Sequence, residues 1–405
     1  MTPKAFIHVQ HLLGTGHVVR AASIGRALVA RGVQVTLASG NRIPPTLDTS
    51  ALTIVELPAC KSPDAAFKRL VTLDGEAIDE KWKSERVKAS IQAFEDDDFD
   101  LLLTETYPFG RRQLDFELTP LLDHARAKTR PPVIATSIRD ILVRKKELWK
   151  EQWMADQALK YYDRVLIHAD PDFIQLGDSF PFADKVDHLV RYTGYVGGDR
   201  RTATDGPDGE DEVIISCGGG AVAEGLLSAA LAAKPLSRRA EDTAWRILIG
   251  HDVQDDAYLE YRKSAPDGVF VERARRDFPE LLKRARLSVS QAGYNTVLDV
   301  LIADIAAVFV PFSQENETEQ TQRARALERH GRAVVLDEIH LSPERLAAAI
   351  DDALALPHHP HRVLLGGADR SADILLQDID AKRGGHFDEH HQYRQSSADA
   401  PDRGS

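Results

Sequence analysis

Cysteine and long apolar runs are scarce in this sequence of 405 residues, and basic residues are fewer than acidic ones. Its two cysteines, Cys60 and Cys217, are too few for a disulfide framework. The net charge of −12 argues against duplex nucleic acid or an anionic membrane as the main partner. No apolar run reaches the roughly 18 residues of a transmembrane helix, and His8, Gln10 and His11 interrupt the N-terminal apolar stretch before it resembles a secretory signal. We therefore expect a cytoplasmic protein with no transmembrane segment and no nucleic-acid partner.

Short apolar, β-rich runs alternate with helix-length amphipathic segments through most of the chain. This alternation predicts parallel sheets covered by helices, and the chain is longer than the roughly 250 residues at which single cores stop growing. A stretch rich in glycine and charge over 194–211 is typical of an interdomain linker. The sequence therefore predicts two doubly wound, Rossmann-like α/β domains over 1–197 and 212–384, with a linker over 198–211 and a disordered tail over 385–405.

A glycine turn joins the first predicted strand to the first helix, in the order Gly14-Thr-Gly16-His17. The glycines let a ligand approach the backbone, and the helix N-terminus favours an anion or a developing negative charge. There, His17 could act as general base on an acceptor hydroxyl or on water, or hydrogen-bond a phosphate. The alternative is a helix-capping histidine, which the glycine turn alone would favour. The position at the carboxyl end of a strand, where open α/β sheets bind ligands, supports a functional role.

The second predicted domain begins in the same way, with a buried strand that ends at Ser216 and then Gly218, Gly219 and Gly220 before a helix. Consecutive glycines allow a ligand to come close to the backbone. One interpretation is a cradle for a diphosphate at the helix N-terminus, and the other is a plain strand-to-helix turn. The first interpretation depends on support from residues further along the chain.

That support begins after a later strand, where Gly293, Asn295, Thr296 and Asp299 open another helix. Gly293 supplies the turn, Asn295 or Thr296 can cap the helix, and Asp299 falls about one turn into it. A carboxylate at that place can accept hydrogen bonds from two vicinal hydroxyls. The commoner fate of such a residue is to stabilise the first helical turn by its charge.

A polar loop follows the next strand and leads into Glu319 and Gln320 at the start of a further helix. Adjacent carboxylate and carboxamide groups suit a polyhydroxylated sugar. Taken alone, Glu319 would more often be a solvated helix residue.

Three of these segments together resemble the C-terminal domain of the family-28 glycosyltransferases, the group that includes MurG. They are Gly-Tyr-Asn-Thr-Val-Leu-Asp at 293–299, Val-Pro-Phe at 310–312 and Glu-Thr-Glu-Gln at 317–320, and the resemblance spans roughly 212–354. It implies a GT-B fold, in which two Rossmann-like domains face each other across a cleft. It also implies a nucleotide diphosphate sugar as donor, held mainly by the second domain.

The resemblance also implies roles for individual residues. The residue matching Asp299 binds the ribose hydroxyls in that family, where it is usually Glu, and the pair matching Glu319 and Gln320 faces the donor sugar. The glycine loop matching 216–221 lies near the diphosphate, and the loop matching 14–17 faces it across the cleft.

The N-terminal segment carries a second resemblance. Gly-Thr-Gly-His-Val-Val-Arg at 14–20 is similar to the Gly-x-Gly-His-x-x-Arg of PseG-type UDP-sugar hydrolases, in which the histidine is the proposed base and water replaces the acceptor. Bacterial predicted glycosyltransferases carry both this signature and Gly-Tyr-Asn-Thr, and that likeness names no substrate. Hydrolysis therefore stays open beside transfer.

Polar loops also follow two strands of the first predicted domain, one with Glu105 and Arg111 and the other with Arg139 and Asp140. Either acidic residue could assist His17 or bind acceptor hydroxyls, and the arginines could meet an anionic acceptor. Helix caps and surface ion pairs are at least equally good interpretations.

A basic and aromatic segment over 143–161 contains Trp149 and Trp153. It could contact a lipid-linked acceptor or make peripheral contact with a membrane surface. An ordinary amphipathic helix with its tryptophans in the core is the more frequent outcome of such a pattern.

Two patterns that could suggest a metal do not predict one. The Asp-x-Asp within 96–100 precedes a strand, so it lies at the wrong end of the sheet for a ligand site. The histidines at 386, 390 and 391 belong to the predicted tail and lack a supporting framework.

The sequence therefore predicts an inverting glycosyl transfer, independent of metal and without a cofactor, from a nucleotide diphosphate sugar to an unidentified acceptor. A UDP-sugar is the expected donor. Two alternatives remain: a nucleotide-sugar hydrolase with the same donor site, and a non-catalytic nucleotide-sugar-binding protein.

Overall fold

Two parallel, helix-covered β-sheets organise the chain. The elements around the first sheet form the N-terminal domain, and those around the second sheet form the C-terminal domain. The computed structural model describes residues 2–12, 15–45, 47–63, 69–197, 206–216, 224–251, 253–312, 318–357 and 363–384.

Up to residue 197, the described chain contains nine strands and five α-helices. In chain order they are β1 (Lys4–Val9), α1 (Gly16–Val29), β2 (Gln34–Ser39), β3 (Thr53–Glu56), β4 (Cys60–Lys61), β5 (Val71–Thr72), α2 (Glu80–Glu95), β6 (Leu101–Glu105), α3 (Asp115–Ala127), β7 (Val133–Arg139), α4 (Leu148–Tyr161), β8 (Arg164–His168), α5 (Ala183–Val186) and β9 (Val190–Tyr192).

Seven of these strands form one sheet in the order β3-β2-β1-β6-β7-β8-β9, and every neighbouring pair is parallel. The interior strand β1 is buried from Ala5 to Val9, as expected in a parallel sheet that helices cover on both faces, and Ile7 pairs in register with Leu37 on one side and Leu103 on the other. Since the strands are parallel, the carboxyl ends of β1, β6, β7 and β8 meet along one edge of the sheet. We call this the ligand edge, because open parallel sheets bind ligands there.

The described elements after residue 206 build a second sheet and the last helix. They are β10 (Val213–Ser216), α6 (Glu224–Ala233), β11 (Trp245–Ile249), α7 (Asp255–Ser264), β12 (Val269–Arg273), α8 (Phe278–Arg284), β13 (Leu287–Ser290), α9 (Tyr294–Ala303), β14 (Ala307–Phe309), α10 (Glu319–Arg329), β15 (Ala333–Val335), α11 (Pro343–Ala353) and α12 (Gly367–Lys382).

This second sheet has the order β12-β11-β10-β13-β14-β15 and is parallel throughout. The order runs outward in both directions from β10 and β13, so the chain is doubly wound and places a ligand edge where the direction reverses. The predicted fold class of two doubly wound α/β domains is confirmed.

The last helix, α12, lies in the N-terminal domain, whereas the sequence analysis assigns 367–384 to the second domain. In the structure its buried residues Ala372, Leu375 and Ile379 belong to the core of the N-terminal domain and pack with α1. Arg31, which follows α1, also pairs with two aspartates of α12. The spacing of an apolar stripe predicts a buried helix face, but it does not say which sheet the face covers.

The chain returns to the N-terminal domain beside its own outgoing segment. Tyr195 N donates to Leu364 O at 2.9 Å, and Gly367 N donates to Tyr195 O at 3.0 Å. Gly194 has φ 77°, and a Cβ there would lie 2.4 Å from Leu364 O, so only glycine permits this close crossing. The two connections between the domains are therefore bound to each other.

No helix of the described residues is long and apolar enough to cross a membrane. Several predictions concern residues outside the described ranges: the glycines Gly14, Gly218, Gly219 and Gly220, most of the predicted linker, and the predicted tail over 385–405.

Candidate functional site

His17 and Glu105 lie in contact at the ligand edge of the N-terminal sheet. His17 is the second residue of α1, and Glu105 is the last residue of β6. His17 Nδ1 lies 2.8 Å from a carboxylate oxygen of Glu105. Because an ionised carboxylate only accepts hydrogen bonds, Nδ1 carries the proton and donates it, and Nε2 keeps its lone pair. The structure thus brings Glu105 to His17, whereas Asp140, the other acidic candidate, lies elsewhere.

Glu105 is held as a charged group although its side chain is only 1% exposed. Arg20, one turn further along α1, donates to the other carboxylate oxygen, and Thr106 Oγ1 donates at 2.8 Å. Burial by itself would raise the pKa of Glu105, but electrostatic interactions with His17 and Arg20 and the hydrogen bond from His17 outweigh it and hold this pKa far below its usual range. Glu105 therefore stays a carboxylate at neutral pH.

His17 is kept in the form that a general base requires. Burial lowers its pKa below the ordinary value of 6.5, and Arg20 and Arg111 lower it further, while Glu105 acts in the opposite direction. The side chain remains 18% exposed, and no hydrogen bond to Nε2 comes from the part of the chain that the structure describes. A neutral imidazole thus presents a lone pair at the edge where parallel sheets bind ligands.

The turn after Glu105 is conformationally constrained. Thr106 has φ 68°, which is rare for a β-branched residue, and Arg111 has φ 58°. A Cβ at Gly110 would lie 2.5 Å from Thr106 Cγ2, so the closure of the turn requires glycine. Thr106 and Arg20 were not among the sequence candidates, although the spacing of three residues between His17 and Arg20 places both on one face of a helix.

Three arginine side chains lie near His17 and Glu105. Arg111 follows the constrained turn, and burial lowers its pKa; Glu105 raises that pKa, whereas the nearby Arg139 and Arg20 lower it. His11, at the end of β1, is buried in the same region, where burial first and then His17 and Arg111 lower its pKa. The site around Glu105 therefore carries an excess of positive charge.

On the C-terminal sheet, the predicted donor residues meet at one edge. Ser216 ends β10 and pairs in register with Ser290, the last residue of β13. Gly293 precedes α9, and a Cβ there would meet no atom of the described residues within 4 Å. Of the next candidates, Asn295 is exposed and Thr296 is half-buried.

Asp299 is half-buried one turn into α9, as the sequence pattern indicates. Across the cleft, the Tyr294 hydroxyl donates to the carbonyl oxygen of His168 at 3.3 Å. The start of α9 therefore touches the ligand edge of the N-terminal domain.

Glu319 and Gln320 form the first turn of α10 and face the same cleft. Phe312 N donates to Gln320 Oε1 at 3.2 Å, which fixes the orientation of the amide and leaves its NH2 group as a donor. Glu319 is nearly buried, and Arg323 donates to its carboxylate at 2.7 Å. A carboxylate acceptor and an amide donor thus lie side by side.

Asp140 and Arg139, both predicted on the acceptor side, each contact α10 of the C-terminal domain. Asp140 is fully buried, and both of its oxygens accept hydrogen bonds from Arg323, so it has no surface to offer an acceptor. Arg139 donates to Glu319 at 3.2 Å across the cleft. The sequence could not indicate the first pair, because Arg323 lies 183 residues further along the chain.

The two tryptophans of α4 have different environments. Trp153 is partly buried and packs edge-on to Tyr107, with ring centroids 6.0 Å apart. Trp149 is 54% exposed and its neighbour Leu148 is 57% exposed. The Arg112 guanidinium lies 4.5 Å from the Trp149 ring centroid. Exposed apolar surface is thus concentrated at the start of this helix.

The described residues contain no group of three or more His, Cys, Asp or Glu side chains placed to hold a metal ion. The Asp-x-Asp segment lies before β6, where Asp97 pairs with Lys4 and Asp100 pairs with Arg383. The histidines at 386, 390 and 391 lie beyond the described ranges.

A further histidine, His168, is completely buried behind the site at the end of β8. Ser137 Oγ lies 2.6 Å from Nε2, and Thr193 Oγ1 lies 2.7 Å from Nδ1. Thr193 donates to carbonyl oxygens, so it accepts from Nδ1, and Ser137 donates to Nε2. Burial is the main reason that the pKa of His168 lies well below 6.5.

We expect His168 to make the protein less stable as the pH falls. The unfolded chain binds a proton below pH 6.5 and the folded chain does not, so stability is complete above 6.5 and decreases below it, by at most about 1.4 kcal/mol per pH unit for this one group. His168→Gln should reduce the slope of unfolding free energy between pH 5 and 6.5. The exposed His188→Gln is the control, and equal slopes for wild type and His168→Gln would contradict the prediction.

Comparison with known proteins shows what the C-terminal domain is similar to. Residues 213–363 match the glycosyltransferase family 28 C-terminal domain. We call residues 213–363 the family 28 domain, for the family that they match. The matched residues run from the first strand of the second sheet to the return crossing, so the family 28 domain includes β10 through α11 and excludes α12.

Two sequence relatives share the name UDP-N-acetylglucosamine--N-acetylmuramyl-(pentapeptide) pyrophosphoryl-undecaprenol N-acetylglucosamine transferase. The protein from Carboxydothermus hydrogenoformans is 30% identical over 116 residues, which are 29% of this chain and 30% of the relative. The one from Syntrophotalea carbinolica is 28% identical over 171 residues, or 41% of this chain and 46% of the relative. The matches to these two relatives thus span less than half of either protein.

Solved structures resemble the whole chain in fold. A calicheamicin glycosyltransferase has a TM-score of 0.59 at 17% identity, over 95% of this chain and 96% of that chain. MurG of Acinetobacter baumannii has a TM-score of 0.55 at 16% identity, over 94% and 100%. At these identities the likeness shows the fold, so the N-terminal domain and the family 28 domain together form the GT-B arrangement.

Proposed function

We propose that this protein transfers a sugar from a nucleotide diphosphate sugar to an acceptor hydroxyl, with inversion at the anomeric carbon and without a metal. The observation that carries the proposal is the contact of 2.8 Å between His17 Nδ1 and Glu105. It gives a neutral imidazole with its Nε2 lone pair at the ligand edge, opposite a family 28 domain. A base on one domain and a donor site on the other are the two requirements of a direct displacement.

In this proposal His17 Nε2 removes the proton from the acceptor hydroxyl while the hydroxyl oxygen bonds to the anomeric carbon of the donor sugar. The bond from that carbon to the diphosphate oxygen breaks, and the nucleoside diphosphate leaves. Glu105 orients the ring and stabilises the imidazolium that forms. A single displacement of this kind inverts the configuration.

We assign the donor to the edge of the family 28 domain. The N-terminus of α9 at Gly293, Asn295 and Thr296 would stabilise the leaving diphosphate with backbone N–H groups. The sequence predicts the same role for Gly218, Gly219 and Gly220, which lie outside the described residues. Asp299 would accept from the ribose hydroxyls. The donor sugar would bind to the pair Glu319 and Gln320.

A uridine nucleotide is the proposed donor base, because the sequence relatives are named for UDP-N-acetylglucosamine. The excess of positive charge around Arg111 favours an anionic acceptor. The exposed surface at Leu148 and Trp149 would suit a lipid-linked acceptor or a membrane surface.

Calorimetric titration with UDP, GDP, ADP, TDP and their common sugars tests this function, followed by a turnover assay without acceptor. We expect selective binding of one nucleotide and its sugar, no release of free sugar, and the same turnover with and without EDTA once an acceptor is supplied. Release of sugar to water that His17→Ala abolishes would instead identify a hydrolase. Absence of binding to every nucleotide would contradict the proposal.

A further inference from the structure

Four charged side chains connect the two domains beside the proposed donor-sugar site. Arg139 and Asp140 lie at the end of β7 in the N-terminal domain, and Glu319 and Arg323 lie on the first turns of α10 in the family 28 domain. We call these four residues the cross-domain cluster. Neither sheet alone contains it, so it exists only when the domains are arranged as in this structure.

Arg323 is the centre of the cross-domain cluster. Its Nε and Nη2 donate to the two oxygens of Asp140 at 2.6 and 2.8 Å, and Nη2 also donates to Glu319 at 2.7 Å. Its Nη1 donates to the carbonyl oxygen of Ala292 at 2.8 Å. Every guanidinium nitrogen therefore has a partner, and the side chain has one possible orientation.

Glu319 is held from both domains at once. Arg323 contacts one carboxylate oxygen from within α10, and Arg139 lies 3.1 and 3.2 Å from the two oxygens from across the cleft. Because the arginines contact both oxygens, they fix the plane of the Glu319 carboxylate. Any sugar hydroxyl that donates to Glu319 must therefore approach along a direction that the arginines determine.

The burial of the cross-domain cluster is not explained by stability alone. Arg323 is 1% exposed and Asp140 is fully buried, and the removal of two charges from water costs about as much as their attraction returns. Apolar residues of similar volume would fill the same space at no loss of stability in many proteins. What an ion pair supplies and apolar packing does not is a fixed direction for its neighbour.

We propose that Asp140, acting through Arg323, is a positioning residue that sets the selectivity for the donor sugar by fixing the carboxylate of Glu319. The inference rests on the proposed function, in which Glu319 contacts the sugar. Epimers of a sugar differ in the direction of one hydroxyl, and a carboxylate with a fixed orientation leaves the wrong epimer without its hydrogen bond. The N-terminal domain thereby takes part in choosing the donor without touching the nucleotide.

Asp140→Asn is the test, because asparagine keeps the shape and removes the charge. Binding of UDP alone, of UDP-N-acetylglucosamine and UDP-glucose, and of their 4-epimers is measured by calorimetry, with kcat and KM for each donor in the transfer or release assay. We expect an unchanged Kd for UDP and a loss of about tenfold or more in the preference between epimers. Asp140→Glu, which restores the charge, should recover part of that preference.

The control is Asp170→Asn, which removes a charge from another buried aspartate of the N-terminal domain. Asp170 accepts a hydrogen bond from Leu364 N at the interdomain crossing and does not contact α10, so its variant should keep the epimer preference. If Asp140→Asn does not fold, Arg139→Gln removes only the half-exposed contact to Glu319 and should lower the preference in the same direction by a smaller factor.

The two proposals fail in different ways. If the wild type binds no nucleotide sugar, both the function and this inference are overturned. If it binds one epimer in preference and Asp140→Asn or Arg139→Gln keeps that preference, the inference alone is wrong. The same holds if the wild type binds UDP sugars without any preference between epimers.

Discussion

His17→Ala should lower kcat for glycosyl transfer by about 10² to 10⁴, the usual contribution of a positioned general base. The loss follows because Nε2 is the lone pair that the structure presents at the ligand edge, with Glu105 fixing the tautomer. Initial rates at saturating donor give kcat, and calorimetry with UDP should show an unchanged Kd. The exposed His188→Ala is the control, and a His17→Ala enzyme with full kcat would remove His17 from the mechanism.

The pH profile adds a second readout for the same pair. The pKa of His17 lies below 6.5, so the wild-type rate should be level above that pH and fall as His17 becomes protonated at lower pH. Glu105 raises the pKa of His17, so Glu105→Gln should move the acidic limb to still lower pH while it reduces the plateau. An acidic limb that moves to higher pH in Glu105→Gln would contradict the assignment.

Arg86→Met should lower the free energy of unfolding by about 3 to 5 kcal/mol, because it leaves a buried carboxylate without its main partner. Arg86 of α2 and Glu117 of α3 are both fully buried, and Arg86 Nε donates to Glu117 Oε1 at 2.9 Å. His8 and Ser90 also contact this carboxylate. Burial by itself would raise the pKa of Glu117, but Arg86 and His8 lower it to about 2, so an ionised group would have to be protonated or exposed in the variant.

Urea unfolding of the full chain measures this effect. Lys88→Met changes an exposed cation on the same helix and should shift the midpoint little. The double variant Arg86→Met/Glu117→Leu removes both charges and should be more stable than Arg86→Met alone. A single variant as stable as Lys88→Met would show that this buried pair does not hold α2 and α3 to the sheet.

The local sequence pattern was enough to predict where the candidate site residues lie, because parallel strands present their carboxyl ends along one edge of the sheet. His17, Glu105, Gly293 and Glu319 each follow or end a strand, or begin the next helix, and the structure places each at a sheet edge. What these residues do in catalysis or binding stays a prediction. The pattern did not indicate which acidic residue meets His17, since Glu105 and Asp140 follow neighbouring strands in the same way.

Pairings between residues far apart in the chain could not be predicted from the local sequence pattern. Asp140 and Arg323 meet only after two domains fold and dock, and each alone has the pattern of a strand-end or helix residue. The last helix gave a similar error, because its apolar stripe fits either sheet. On its return to the N-terminal domain the chain passes Gly194, whose φ of 77° and lack of a Cβ allow the two backbones to touch.

The two doubly wound sheets could be predicted from the chain alone, since periodicity, strand length and glycine placement act over a few residues. Only the folded molecule shows the contact of Glu105 with His17 and the hydrogen bonds that Arg139 and Arg323, from two domains, donate to Glu319. A carboxylate binds whichever cation the packing brings within about 3 Å, and packing depends on contacts between residues that are far apart in the chain.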